Sequence, residues 1–325
     1  MADSISNNHS YAVIHIYNNQ NAQFSIAPNP GLPALFGAAA CWSDMDNDGY
    51  PDIVLNGLPT QNGAVTLYVY RNTGHGSFTE LTQYRQPGFL GASLCPADWN
   101  ADGYQDLLIS GQLNGAYTCM LFKNSMNRSL LPGYQNPGVT SGGLALGDYT
   151  GDNRLDFVMS GAAGSTANPE SKVFMQADGF ANTPPPPPTN LNVSVNGSSV
   201  TFSWNKTGSG LSDAQTLTQA LTANLWVKNM LTGKYIVTPM ADPVTGLRKI
   251  QQGGNAGTGT AFTIQNLADG VYSWGVQNID AAFSGSPFTT VAAPFAVDIT
   301  NSHYYAVSTD GSPAVCGDRP VKLEV

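Results

Sequence analysis

One acidic nine-residue loop, written three times, constrains this chain more than any other feature. It reads Asp44-Met45-Asp46-Asn47-Asp48-Gly49-Tyr50-Pro51-Asp52, then Asp98-Trp99-Asn100-Ala101-Asp102-Gly103-Tyr104-Gln105-Asp106. The third copy is Asp148-Tyr149-Thr150-Gly151-Asp152-Asn153-Arg154-Leu155-Asp156. The first residues fall at 44, 98 and 148, so the spacings are 98 − 44 = 54 and 148 − 98 = 50 residues. A period of this size means that one supersecondary unit is stacked against copies of itself. Ten of the 19 aspartates of the chain sit in these loops. Like charge at that density is costly unless something neutralises it. Acidic residues at alternate positions around a sharp turn are the donor pattern of a hard cation, and calcium takes roughly six to eight oxygen ligands.

The loops therefore read as up to three Ca2+ sites. The candidate ligands of the first are the side chains of Asp44, Asp46, Asp48 and Asp52 with the backbone carbonyl of Tyr50. Those of the second are Asp98, Asn100, Asp102 and Asp106 with the carbonyl of Tyr104. Those of the third are Asp148, Thr150, Asp152 and Asp156 with the carbonyl of Arg154. Carboxylate count ranks the first site tightest and the third weakest. The third loop also has Asn153 where the others have glycine, and asparagine tolerates the left-handed conformation that the turn needs. EF-hands share the acidic start but require Glu at position twelve and flanking helices. Position twelve here is Leu55, Ile109 or Met159, each inside an apolar run.

Each loop leads into a short apolar strand that ends in glycine at the same phase: Ile53 to Gly57, Leu107 to Gly111 and Phe157 to Gly161. Continuous apolarity predicts a strand covered on both faces. A third strand follows, as in Val65 to Asn72 and Tyr117 to Asn124, with Tyr11 to Asn18 and Lys172 to Gln176 aligned to it. After its turn come Phe24, Phe78, Leu130 and Phe180. Ahead of each loop lie small residues: Gly37 to Ala40, Gly91 to Ser93, and Ser141 to Ala145. Pro96, further along the strand that carries the second of these, fits only an edge strand. Four strands in about 50 residues, with the smallest side chains at one end, describe a β-propeller blade.

On these residues, positions 10 to 183 resemble FG-GAP/VCBS repeats, the blades of integrin α-subunit propellers and of many bacterial surface proteins. Phe36-Gly37 and Asn56-Gly57-Leu58-Pro59 sit where that family has its Phe-Gly and Gly-Ala-Pro signatures. The resemblance implies that each loop joins the first two strands of a blade and binds calcium. Three complete repeats plus a half-blade fall short of the roughly four to eight blades that close a propeller. Such a set is either a fragment of a longer protein or is closed from elsewhere.

The run Pro184 to Pro188 predicts an extended, semi-rigid linker over 184–189. Residues 190–298 predict an Ig-like sandwich of short strands, with Trp204, Trp226 and Trp274 in its core. Tyr272, after Leu267 and an Asp-Gly turn, is placed like a tyrosine corner. The segment resembles a fibronectin type III domain. Residues 299–325 are a tail or the start of a further β domain. The expected fold is thus all-β: propeller repeats over 1–183, then a sandwich.

Composition bears on function mainly by exclusion. A net charge of −9, with no basic stripe, argues against nucleic acid as partner. No apolar run approaches the ~20 residues of a membrane span. Met1 to Ser10 lacks the basic and apolar regions of a signal peptide. Abundant calcium favours a mature or excised piece of a secreted or cell-surface protein over a cytoplasmic one. Cys41 and Cys95 occupy one phase of the repeat, with Ala145 in the third copy, and read as small core residues. His9, His15, His75 and His303 include no pair at zinc spacing. With three glutamates in the chain, a glycosidase acid/base pair is not expected either. Gly253 to Gly259 opens no helix and reads as a loop. The expectation is a non-enzymatic, calcium-stabilised module that binds a protein or glycan, as in adhesion. The alternatives are an accessory region of a larger extracellular enzyme and a purely structural propeller.

Overall fold

The computed structural model describes residues 12–20, 23–28, 31–60, 62–74, 76–125, 129–152, 154–164, 168–177, 182–207, 216–299, 304–307 and 313–316. Asn153, Phe180, His9, His75 and His303 lie outside them. The described residues are built from strands, with one turn of 3-10 helix at Thr82–Tyr84 and no α-helix. No helix among them is long and apolar enough to cross a membrane. The chain divides into two compact units, Met1–Asn182 and Thr183–Val325.

The first unit opens on a hairpin, β1 (Tyr17–Gln20) with β2 (Gln23–Ile26). Blade one follows with β3 (Phe36–Ser43), β4 (Asp52–Leu58), β5 (Thr66–Asn72) and β6 (Phe78–Glu80), hydrogen-bonded in that order, and β7 (Gln86–Pro87) also pairs with β5. Blade two is β8 (Leu90–Ala97), β9 (Asp106–Leu113), β10 (Ala116–Asn124) and β11 (Leu130–Pro137), again in order. In blade three, β12 (Thr140–Gly147), β13 (Asp156–Ala163) and β14 (Asn168–Phe174) form the described sheet. The first strands lie side by side, β3 beside β8 and β8 beside β12. Pro96 on β8 is tolerated because β8 is the edge of its sheet.

The repeated glycines have a common cause. The register slips at Phe36/Ala39, Leu90/Ser93 and Thr140/Gly143, so each first strand carries a bulge near its start. The bulge puts Gly37 and Gly91 at φ +57° and Ser141 at +52°, the left-handed region that glycine enters without steric cost. It also presses the chain onto the second strand. A Cβ on Gly57 would lie 2.8 Å from Leu35 Cβ, and one on Gly111 or Gly161 would lie 2.9 Å from a bulge carbonyl.

Second strands alternate between neighbours. Ile53 and Leu55 of β4 pack with Ile14 and Ile16 of the N-terminal segment, whereas Val54 packs with Leu107, Ile109 and Phe122 of blade two. Both faces are thus covered in β4 and β9. In β13 the pattern departs from the expectation, because Val158 is 39% exposed. The N-terminal copy also differs by one residue. Asn72 pairs with Phe78 and Asn124 with Leu130, but Asn19 pairs with Phe24. Asn19 rather than Asn18 therefore stands in the place of Asn72, because this hairpin is one residue shorter.

The core of the second unit lies between two of its sheets. One contains β15 (Thr189–Asn196), β16 (Ser199–Asn205) and, later in the chain, β19 (Ala261–Ile264). The other contains β17 (Thr222–Asn229), β18 (Tyr235–Val237), β20 (Gly270–Ile279), β21 (Thr289–Thr290) and β22 (Phe295–Val297), around the central pair β17–β20. Phe202, Trp204, Leu225, Trp274 and Val276 fill the core, and Trp226 is also buried. Tyr272 Oη donates to the carbonyl of Ala268 at 2.8 Å, a bond back to the chain just upstream. Gly254 is pressed against β17, where a Cβ would lie 2.1 Å from the Ala223 carbonyl oxygen. The proline run is not a free spacer. Pro185 and Pro188 are buried. The carbonyls of Pro186, Pro187 and Pro188 accept bonds from Asn278, Thr207 and Thr289. A proline lacks a donor but keeps its acceptor, so this segment is fastened to the second unit. Downstream, β23 (Tyr304–Val307) pairs with β24 (Pro313–Cys316).

Candidate metal centre

Each acidic loop joins the first and second strands of a blade. In the first, Asn47 and Gly49 adopt left-handed backbone at φ +57° and +90°. That curls the chain back so that its own carboxylates cap its N–H groups. Asp44 accepts from the N–H of Asp48 at 3.0 Å and of Gly49 at 2.9 Å, and Asp48 accepts from that of Tyr50 at 2.9 Å. The outcome is one group in which carboxylate oxygens of Asp44, Asp46 and Asp48 lie within 4.8 Å of one another.

The ninth residue does something different. Asp52 is fully buried. Its Oδ2 accepts the N–H of Met45 at 3.0 Å, and its Oδ1 accepts that of Asn72 at 2.8 Å. Asp106 repeats this with Trp99 and Asn124, and Asp156 with Tyr149 and Gln176. This aspartate is a strut between the loop and the end of the third strand.

Burial and mutual repulsion set the electrostatics. Burial, opposed by the Gly49 N–H and reinforced by Asp46 and Asp48, pushes the Asp44 carboxyl up to about 7. Burial also pushes Asp52 up to about 8 and Asp106 to about 7, and raises Asp98 well above its ordinary value. Asp46 is raised as well, by burial first and then by Asp48, against the pull of Arg71. A set of oxygen donors that resists ionisation without a counter-charge suits a hard cation.

Arg71 is the residue that sequence reasoning missed. Its Nε lies 2.6 Å from Asp46 Oδ2 and its Nη2 lies 2.8 Å from Asp48 Oδ2. It precedes Asn72 as Lys123 precedes Asn124, but Met175 before Gln176 is uncharged, so the phase of the third strand alone did not single it out. The second loop has the same turn, with Asp98 accepting from Asp102 and Gly103. Its middle donor is the carboxamide of Asn100, which donates to Asp102 at 2.9 Å. The third loop does not gather its carboxylates among the described residues. Asp152 accepts the Arg154 N–H at 3.0 Å and the Arg154 guanidinium at 2.8 Å. Asp148 Oδ1 is taken by the N–H groups of Gly151 and Asp152.

The donor chemistry therefore fits a calcium ion best in the first loop, less well in the second and poorly in the third. Cys41, Cys95 and Cys119 are free thiols. Burial first, with the neighbouring Cys95 adding to it, pushes the Cys41 thiol to about 12, and burial pushes that of Cys95 to about 11. Both side chains are partly buried.

No curated protein matches the chain. Residues 44–109, from the first aspartate of loop one through the whole of loop two to Ile109 on β9, match the family model described as FG-GAP-like repeat.

Proposed function

We propose that the first unit is a calcium-stabilised, non-catalytic binding scaffold of a secreted or cell-surface protein, which presents its blade ends to a protein or glycan. The observation that carries this reading is the grouping of Asp44, Asp46 and Asp48 within 4.8 Å, at the turn of a repeated blade. Asp44, Asp46, Asp48 and the Tyr50 carbonyl would hold the ion, which would neutralise the loop and lock the turn between β3 and β4, while Asp52 braces the loop against the third strand. The acidic side chains of that loop are committed to its own backbone or to Arg71, which supports a structural role rather than proton transfer. Under the same proposal the second unit is a fibronectin type III-like spacer, a reading supported by its two-sheet core and the Tyr272–Ala268 bond.

Thermal unfolding in calcium and in chelator tests the proposal. A ligand that binds the folded state alone must raise the melting temperature. Calcium should raise it in the parent chain, and the rise should shrink in Asp46→Ala. An unchanged melt, with no bound metal by elemental analysis, would overturn the assignment.

A further inference from the structure

Blade-to-blade junctions in this chain share a polar latch. Asn56 on β4 donates from Nδ2 to the carbonyl of Phe89 at 2.8 Å and accepts the Phe89 N–H at 2.8 Å. Ser110 on β9 likewise donates to the carbonyl of Val139 at 2.8 Å and accepts its N–H at 2.9 Å. Phe89 and Val139 stand just before the first strands of blades two and three, and Leu35 holds that place in blade one. The N-terminal hairpin supplies only the third and fourth strands of a blade. Hence no second strand offers an Asn or Ser to Leu35 among the described residues.

No strand fills that place among the described residues. Among the described residues β1 pairs with β2 alone. Beside the run leading into β1 lies a groove of about 330 Å3, lined by Ile14, Ile16, Leu35, Ala40, Trp42 and Leu55 among others. The wall of blade one is bare where that of blade two is covered. Ala92 and Leu94 on β8 pack against the core between blades one and two. Their counterparts Ala38 and Ala40 on β3 are exposed, and Trp42 is 52% exposed.

We propose that this groove is a β-strand addition site for a hairpin with the pattern of the chain's own first two strands. The first strand of that hairpin would open with a bulky apolar residue, any residue, then a residue in left-handed backbone, as Gly37, Gly91 and Ser141 are. The second would be an apolar run ending in Ser-Gly or Asn-Gly. Its backbone extends the sheet from the free edge of β1, its central apolar residue enters the groove, and its Ser or Asn grips Leu35 as Asn56 grips Phe89. Main-chain bonds give such additions affinity, and alternate side chains in the groove give them specificity. Two existing junctions in the same unit already use this arrangement, and the proposal does not depend on calcium.

The probe is a synthetic peptide spanning Val139 to Ala163, which carries Val158 and Ser160 and has no tryptophan. Added to the full chain, it should protect amides of residues 12–19 from hydrogen exchange. It should also blue-shift Trp42 emission, isolated by difference against Trp42→Phe. Ala40→Arg, at an exposed position, should leave the melt unchanged and weaken binding about tenfold or more, because a guanidinium would be buried against apolar side chains. The same segment fused ahead of Met1 by a Gly/Ser linker raises its effective concentration and covers the case of a poorly soluble peptide. Protection that Ala40→Arg abolishes supports the site. No protection from either form, or protection that survives Ala40→Arg, overturns it. Self-association of the parent chain that Ala40→Arg abolishes would put a second copy in the groove and overturn the hairpin assignment.

Discussion

Loops one and three begin from nearly the same sequence and end in different surroundings. Met45, the second residue of loop one, is fully buried, whereas Tyr149, its counterpart in loop three, is 74% exposed. Blade two accounts for the difference. Asn124 donates to the Met45 carbonyl at 2.7 Å, Asn47 donates to the Gly103 carbonyl at 2.7 Å, and Gln105 accepts from Ser43 and from the Asp44 N–H. Loop two is held in the same way by blade three, through Gln176 on the Trp99 carbonyl. Loop three has no such neighbour among the described residues and bonds its Asp152 to its own Arg154 instead. The acidic turn that gathers its carboxylates is thus one that the next blade fixes; the motif alone does not suffice.

The largest expected effect comes from the strut. Asp52→Ala leaves the N–H groups of Met45 and Asn72 without acceptors and should cost about 2–4 kcal/mol in denaturant unfolding. Asp156→Ala removes the same strut beside an exposed Tyr149, where water reaches the freed donors, and should cost about half as much. Equal losses would break the comparison.

Next in size is the latch. Asn56→Ala strips both partners from the buried Phe89 backbone and should cost about 1–3 kcal/mol. Ser160, its counterpart in blade three, shares a side-chain hydrogen bond with the exposed Ser171 hydroxyl and with no backbone group among the described residues, so Ser160→Ala should stay within about 0.5 kcal/mol.

A smaller effect is expected from pH. The folded pKa values of Asp44 and Asp52 are raised, to about 7 and about 8 from 3.8. The folded chain therefore binds more protons than the unfolded one across that window. Their contribution is fully present below the unfolded value and is lost as pH rises through the folded values. Without calcium, stability attributable to loop one should fall between about pH 4 and pH 8, and calcium should flatten that slope. Loop three should not share the trend. Burial acts to raise Asp152, but the N–H and guanidinium of Arg154 and the Thr150 hydroxyl outweigh it and hold the carboxyl below its usual range. Denaturant midpoints across pH for the parent and for Asp152→Asn check both signs.

The repeat, the strand that follows each loop and the glycine at its end were legible because they are local and periodic. Gly57 and Gly111 recur where the bulge of a neighbouring strand leaves no room for a Cβ, and a fixed spacing records that. The all-β plan and the buried tryptophans of the second unit were legible for the same reason. Arg71, Asn124 and the Asn56–Phe89 latch were not, since each acts on a loop or strand some 20 to 80 residues away. The one-residue offset at Asn19 depends on hairpin length, which alignment by composition does not resolve. The five prolines read as a spacer because their sequence shows missing donors, while their carbonyls, which fasten them to Thr207, Asn278 and Thr289, leave no trace in it.

Calorimetric calcium titration of the parent chain beside Asp46→Ala and Asp152→Ala is the most direct test of the difference between the loops. We expect the tightest site to disappear in Asp46→Ala and to persist in Asp152→Ala. Loss of the tightest site in Asp152→Ala, or a parent titration that Asp46→Ala leaves unchanged, would contradict it.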